Sequence, residues 1–362
     1  MKRRDFLKSL AATGLVTAAS GVTSRMVKDA KASTGIGEIK SLKVDVLTET
    51  SWFDNAQMVK NISDYGGANT NQYNIPWTWD NAGGYSALLT ITQLDGTQRK
   101  ILLDTGWNTE WMDYIWEMNN IPAMLKSGEI EFLLISHFHL DHFWGIESTL
   151  KHKPDITIYG PETHFPEDMK LLQGGTLTAK NKEGEDILIC KNDHPHTGKL
   201  VLCNPDGEDG SGLYYLMPGV AMRMFDVPIL LRTRGENILY FNVKDKGTVT
   251  VTGCCHPGIL SILAWARRNV DGYKPYGCYG GLHISVFETW EPRFDDIIRG
   301  FKGFNLTKVG CNHCTGWVWA ERAAAAGIPI VEGTDKYLEY KKQSTAASES
   351  NVFLTNGDTI IF

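Results

Sequence analysis

The sequence predicts an α/β protein, built as a sandwich with an irregular insertion. Three observations lead there. From Ser41 onward, short apolar runs of strand length alternate with helical segments and turn signals. Three separate apolar runs end directly in histidine-bearing segments, one of them very dense. From about 161 to 218 periodicity is lost in a stretch rich in Gly, Asp, Asn and Pro. The 362 residues permit two domains or one such sandwich. With 42% apolar and 22% charged residues, the chain can bury a large core. A net charge of -6 argues against a general nucleic-acid binder.

In chain order, 42–47 reads as a first strand, 85–92 as a second and 100–103 as a third. Asp95-Gly96 makes the last two a hairpin. The Trp-, Asn- and Gly-rich stretch 52–84 is too long for a simple connection and is expected to wall the site. Asp104, in Asp104-Thr105-Gly106, either orients a metal-binding histidine or caps the following helix. Helical segments are expected over 110–119 and 120–128, then a buried strand over 130–135. After the histidine cluster come a helix from 143 to 150 and a strand over 156–159. Strands follow at 229–233, 238–241 and 248–252, and a short one ends the chain at 359–362.

The cluster Ser136-His137-Phe138-His139-Leu140-Asp141-His142 places three imidazoles and a carboxylate at one strand end. Neutral imidazole suits zinc, iron or similar ions, and the carboxylate can hold a second ion. Two ions about 3.5–4 Å apart clamp and polarise a substrate. Thr252-Gly253-Cys254-Cys255-His256 and Gly310-Cys311-Asn312-His313-Cys314 repeat the strand-end placement. Gly280-Gly281-Leu282-His283 is a fourth candidate, its glycines allowing close backbone approach. His194-Pro195-His196 reads as a solvated loop.

Seven cysteines are an odd number and no disulfide scaffold. Cys190 and Cys203 flank a loop, and the sequence leaves open whether they pair in an oxidising compartment. Cys254, Cys255, Cys311 and Cys314 are expected as buried thiols lining the metal pocket. Arg3-Arg4 followed by Phe6-Leu7-Lys8, a mild apolar stretch over 9–22 and Ala30-Lys31-Ala32 together look like a Tat export signal. Residues 1–32 are therefore expected to be removed, the mature domain to span 33–362, and the protein to be periplasmic with the Tat machinery as a partner. No stable membrane anchor is expected.

The His-x-His-x-Asp-His motif resembles that of the metallo-β-lactamase fold superfamily. Asp104-Thr105-Gly106, Thr252-Gly253-Cys254-Cys255-His256, Gly280-Gly281-Leu282-His283 and His313-Cys314-Thr315-Gly316 are similar to one branch. That branch includes archaeal dihydropterin–ribofuranosylaminobenzene 5'-phosphate synthases and uncharacterised bacterial hydrolases. The likeness covers roughly 84–331, less the insertion. It implies an αββα sandwich with metals at one edge, between the sheets. By motif, His137, His139 and His256 would hold one metal, and Asp141, His142 and His313 the other. No aspartate matches the bridging one of most members. His283 falls near its place, as a replacement ligand or a catalytic residue touching substrate.

The resemblance implies two divalent cations, zinc first, with iron or manganese as alternatives. The expected reaction is attack by a metal-bound hydroxide on an ester, lactone or phosphoester of small-molecule size, with Asp141 also positioning the nucleophile. The alternatives are a synthase acting on a pterin-like substrate and a non-catalytic binding protein on the same scaffold.

Overall fold

The computed structural model describes residues 35–49, 55–77, 83–340 and 352–362. The expected export signal over 1–32 lies outside them.

The strands are β1 (Ser41–Thr48), β2 (Ser86–Thr92), β3 (Gln98–Leu103), β4 (Ile130–Leu134), β5 (Thr157–Pro161), β6 (Thr176–Lys180), β7 (Asp186–Lys191) and β8 (Leu200–Cys203). They continue with β9 (Tyr214–Met217), β10 (Val220–Pro228), β11 (Arg234–Val243), β12 (Gly247–Val251), β13 (Pro275–Gly281), β14 (Lys308–Asn312) and β15 (Thr359–Ile361). The helices are α1 (Asn55–Asp64), α2 (Thr109–Met118), α3 (Ile121–Ser127), α4 (Leu140–Phe143), α5 (Glu147–Leu150), α6 (Pro166–Leu172), α7 (Ile259–Asn269), α8 (Arg293–Lys302) and α9 (Trp317–Ala325).

Two sheets pack face to face, one ordered β15-β1-β2-β3-β4-β5-β8 and the other β14-β13-β12-β11-β10-β9. Their inner faces share a core that includes Val44, Leu89, Leu103, Leu134, Met222 and Phe241. A second core, with Trp111, Trp116 and Trp144, lies under the helices outside the first sheet. A third, with Ile262, Phe301 and Trp319, lies under α7, α8 and α9 outside the second. This is the expected αββα sandwich. Helix α2 shows how the outer layer is fixed. Asn108 caps it by accepting from Trp111 N at 3.0 Å, and Trp111, Met112, Ile115 and Trp116 make one buried stripe. Each such side chain contributes about 1.5–3 kcal/mol on burial.

The topology decides where chemistry can sit. Strands β3, β4, β5 and β8 run parallel, as do β12, β13 and β14. Carboxyl ends of parallel strands open onto a crevice because their connections leave there. Both sets of ends meet at one edge, where Asn237 N donates to Ser136 O at 2.8 Å and Tyr85 OH to Thr252 O at 3.2 Å. Gly84 is needed at that edge. A Cβ there would lie 2.3 Å from Asp141 O, and its φ of +76° disfavours any L side chain. We expect Gly84→Ala to cost about 3 kcal/mol or more, read as a lowered thermal midpoint.

Several expectations need correction. The segment 229–233 is a tight turn rather than a strand, with Leu231 and Arg232 both in the left-handed region at φ 61°. The reason is tertiary, since the turn presents the Leu230 carbonyl to His139. The single helix over 143–150 is broken at Gly145, where a Cβ would lie 2.2 Å from Thr105 O. The segment 161–218 is not patternless. It holds α6 and the β6–β7 hairpin, while β8 pairs with β5 and β9 with β10. Strands of four residues are too short to display a period. Cys190 and Cys203 are both free thiols and lie in different cores, so they do not pair.

Candidate metal centre

The loop after β4 carries His137, His139, Asp141 and His142, all buried. Three groups hold it. Asp104, at the end of β3 with φ 58°, accepts from Ser136 N and Ser136 Oγ, each at 2.6 Å. Its Oδ2 also accepts from His142 Nδ1 at 2.7 Å. Gln72, in the aromatic segment, donates to Phe138 O at 2.6 Å and accepts from Leu140 N at 2.9 Å. Gly253 makes room, since a Cβ there would lie 2.2 Å from Ser136 Oγ. Asp104 thus orients a histidine, while the cap of α2 falls to Asn108.

The second sheet supplies the facing histidines. His256 follows β12, His283 follows β13 and His313 follows β14. Glu236 in β11, fully buried, fixes the first of these loops. Its Oε1 accepts from Cys254 N at 2.9 Å and Cys255 N at 2.7 Å. Its Oε2 accepts from His256 N at 2.7 Å and His256 Nδ1 at 2.9 Å.

Every imidazole of the expected ligand set spends its outer nitrogen on the protein. His137 Nδ1 donates to Ser136 Oγ at 2.9 Å, since that hydroxyl's own proton goes to Asp104. His139 Nε2 donates to Leu230 O at 2.8 Å and His313 Nδ1 to Glu49 O at 3.2 Å. With His142 on Asp104 and His256 on Glu236, five inner nitrogens point into shared space. Such outer partners fix tautomer and ring orientation for a metal.

The inner atoms fall into the groups His137/His139/His256 and Asp141/His142/His313. These are the two triads expected by motif, with ligand atoms in each within 4.8 Å of one another. Two observations test whether a cation fits. His256 Nε2 is buried with no hydrogen-bond partner among the described residues. His137 Nε2 and His139 Nδ1 stand 3.1 Å apart, although both rings have spent their protons outward. Two lone pairs at that distance repel, and an ion bound by both removes the conflict. The residues fit.

Electrostatics agree. Burial, then the surrounding imidazoles, pushes His137 well below its ordinary range. The same causes, His256 foremost among the neighbours, bring His139 down to about 3. Both are therefore neutral, as a ligand must be. Burial pulls the Asp141 carboxyl up, but His142 and His313 override it and hold it ionised. Burial pulls His313 down, and the bond to Asp141, with Cys314 and the Glu49 carbonyl, more than reverses this, to about 9. An ion held by that triad would take the place of the His313 proton.

Of the six expected ligands, all six are brought together. His283 stands beside them, its ring centroid 4.5 Å from that of His256, but it belongs to neither triad and is exposed. His194 is exposed, and His196 donates to Ile156 O, away from the centre. Cys254 and Cys314 line the centre, as expected, whereas Cys255 and Cys311 belong to the third core. Sequence reasoning missed Glu236, Gln72 and Glu49. None has a local pattern, because each acts on a loop distant in the chain. For Asp104→Asn we expect metal affinity to fall about 10–100-fold. Equilibrium dialysis, with circular dichroism unchanged, checks it.

Residues 84–220 match the family model described as the metallo-beta-lactamase superfamily. The chain is 24% identical over 293 residues to the 7,8-dihydropterin-6-methyl-4-(beta-D-ribofuranosyl)-aminobenzene-5'-phosphate synthase of Methanocaldococcus jannaschii. That alignment covers 78% of this chain and 90% of the relative. Among solved structures, a metal-dependent hydrolase of the beta-lactamase superfamily matches with a TM-score of 0.48 and 16% identity, over 88% of this chain and 98% of that one. An N-acyl homoserine lactone hydrolase matches with a TM-score of 0.30 and 16% identity, over 60% and 76%. Over residues 84–220, where the His-x-His-x-Asp-His motif lies, the chain is similar to the metallo-beta-lactamase superfamily.

Proposed function

We propose that this protein is a metal-dependent hydrolase with a two-ion centre, acting on an ester, lactone or phosphoester. The observation that carries the reading is the set of five imidazoles whose outer nitrogens are all engaged, leaving inner nitrogens and the Asp141 carboxylate on one space. When bound, two divalent ions, with zinc the first choice, supply Lewis acidity and a water acidified to react near neutral pH.

The chain's own residues do the rest. Ionised Asp141, with Oδ2 3.3 Å from His313 Nε2, is placed to bind an ion and orient the attacking water. Tyr85 packs on His142 and His313, with ring centroids 5.3 Å from each, and shields that side from solvent. Exposed His283 meets whatever enters from outside. Metal-loaded protein should hydrolyse at least one of an aryl ester, a lactone panel or an aryl phosphate, with activity lost to a chelator and restored by metal. No turnover of any of them would overturn the reading.

The likeness to the archaeal synthase supports a second reading, a bond-forming enzyme on a pterin-like phosphate. Product formation from such a substrate, with the hydrolytic panel silent, would favour it. Export to the periplasm by the Tat machinery is part of the first proposal and is supported by Arg3-Arg4 and the stretch behind them. An exported enzyme has little access to cytoplasmic pterin phosphates. Fractionation of cells should find the protein in the periplasm, and Arg3→Lys with Arg4→Lys should retain it in the cytoplasm.

A further inference from the structure

The two triads leave three ligand-type side chains at the centre unused: Cys254, His283 and Cys314. Each follows one of three adjacent parallel strands. Cys254 comes after β12, His283 after β13 and Cys314 after β14. Three strand ends in register converge on a point as naturally as the β3 and β4 ends do opposite. The two sulfurs and an imidazole nitrogen lie within 4.8 Å of one another. Ligand atoms about 2.3 Å (sulfur) and 2.0–2.1 Å (nitrogen) from one ion lie within about 4 Å of each other. A small contraction closes the group.

The backbone is shaped around these side chains. A Cβ at Gly281 would lie 2.7 Å from Cys314 Sγ and 2.5 Å from Gly253 O, so glycine there makes room for the thiol. His283 has φ 49°, costly for a residue with a Cβ and tolerated where surroundings fix a functional side chain. Cys314 Sγ donates to Cys254 O at 3.4 Å, which locks the two loops together. Cys254 also faces inward, its Sγ 3.1 Å from His142 Nε2 and within ligand reach of His137. The group is therefore continuous with the two-ion centre and lies on its open side, because His283 is exposed.

We propose that Cys254, His283 and Cys314 form a third metal position, thiolate-rich and open to solvent at its fourth place. Its ligands select a thiophilic ion such as zinc over magnesium, calcium or manganese. An ion there faces incoming substrate, beside the two held by the triads. The proposal takes the two-ion reading as its neighbour but stands on different residues.

The test is an anaerobic cobalt(II) titration of full-length protein, stripped of metal and kept reduced. Three equivalents should bind, one for each separate group, with a thiolate-to-cobalt charge-transfer band in the near ultraviolet. Cys314→Ser and His283→Ala should each lower the stoichiometry by one ion. Cys314→Ser, nearly the same shape as the native residue, should also remove the band, because both sulfurs serve the ion that is lost. Uptake that stops at two equivalents without the band overturns the third position and leaves the two-ion centre standing. Two equivalents with a band that survives Cys314→Ser also overturns it, and makes Cys254 a ligand of the two-ion centre alone. No uptake overturns both readings.

Discussion

His142→Ala is expected to strip at least one ion from each chain and to lower turnover by more than 100-fold. His142 sits at the junction of the site. Its Nδ1 is held by Asp104 at 2.7 Å, while Nε2 lies 3.2 Å from His313 Nε2 and 3.1 Å from Cys254 Sγ. Truncation removes a ligand, leaves the buried Asp104 without one of its donors, and opens a polar void beside His137. Loss of an outer partner alone costs about 10–100-fold, so loss of the ligand itself must cost more. The fold should survive, because the three hydrophobic cores do not depend on this ring. Elemental mass spectrometry and turnover on the same preparation check both parts. Unchanged metal content with full activity would contradict the assignment of His142.

The second large effect belongs to Glu236, which no motif announces. It is a fully buried carboxylate that accepts four hydrogen bonds, three from successive backbone amides and one from His256. Burial pushes its pKa up, but His256 and those amides more than reverse this, to about 2 against an ordinary 4.5. In Glu236→Gln one accepting oxygen becomes a donor that faces other donors. Breaking such a buried pair costs about 3–5 kcal/mol, and the loop from Cys254 to His256 loses its anchor. We expect a marked fall in thermal stability and at least a 100-fold loss of affinity at the His137/His139/His256 triad.

The depressed pKa also sets a pH dependence. The unfolded chain binds this proton more readily than the folded one does, so Glu236 stabilises the fold above about pH 4.5. That contribution, of the order of 3 kcal/mol, fades as pH falls toward about 2. Denaturant titrations between pH 2 and 6 should show an acid limb in the native protein that is shallower in Glu236→Gln.

Much of this was legible in the sequence, for definite reasons. The residues of each triad sit at strand ends, and a strand that feeds a histidine-bearing turn is a local pattern. Asp104 was legible as an orienting group or a cap, and geometry chose the first. The anchors were not legible. Glu236 lies 18 to 20 residues from the amides it binds, and Gln72 lies 66 and 68 from its partners. Pairs so separated are set by how the sheets stack, which no periodicity records. The turn at 229–233 was misread for the same cause. Its apolar run looks like a strand, but its role is to deliver the Leu230 carbonyl to His139. Cys254 was legible as a thiol beside the pocket; its approach to His142 was not.

The most direct test of the central claim is anomalous X-ray diffraction from crystals of the purified protein, recorded at the zinc, iron and manganese edges. The account predicts strong peaks within the group of His137, His139 and His256 and within that of Asp141, His142 and His313. Peaks only elsewhere, or none in protein that is active, would contradict it.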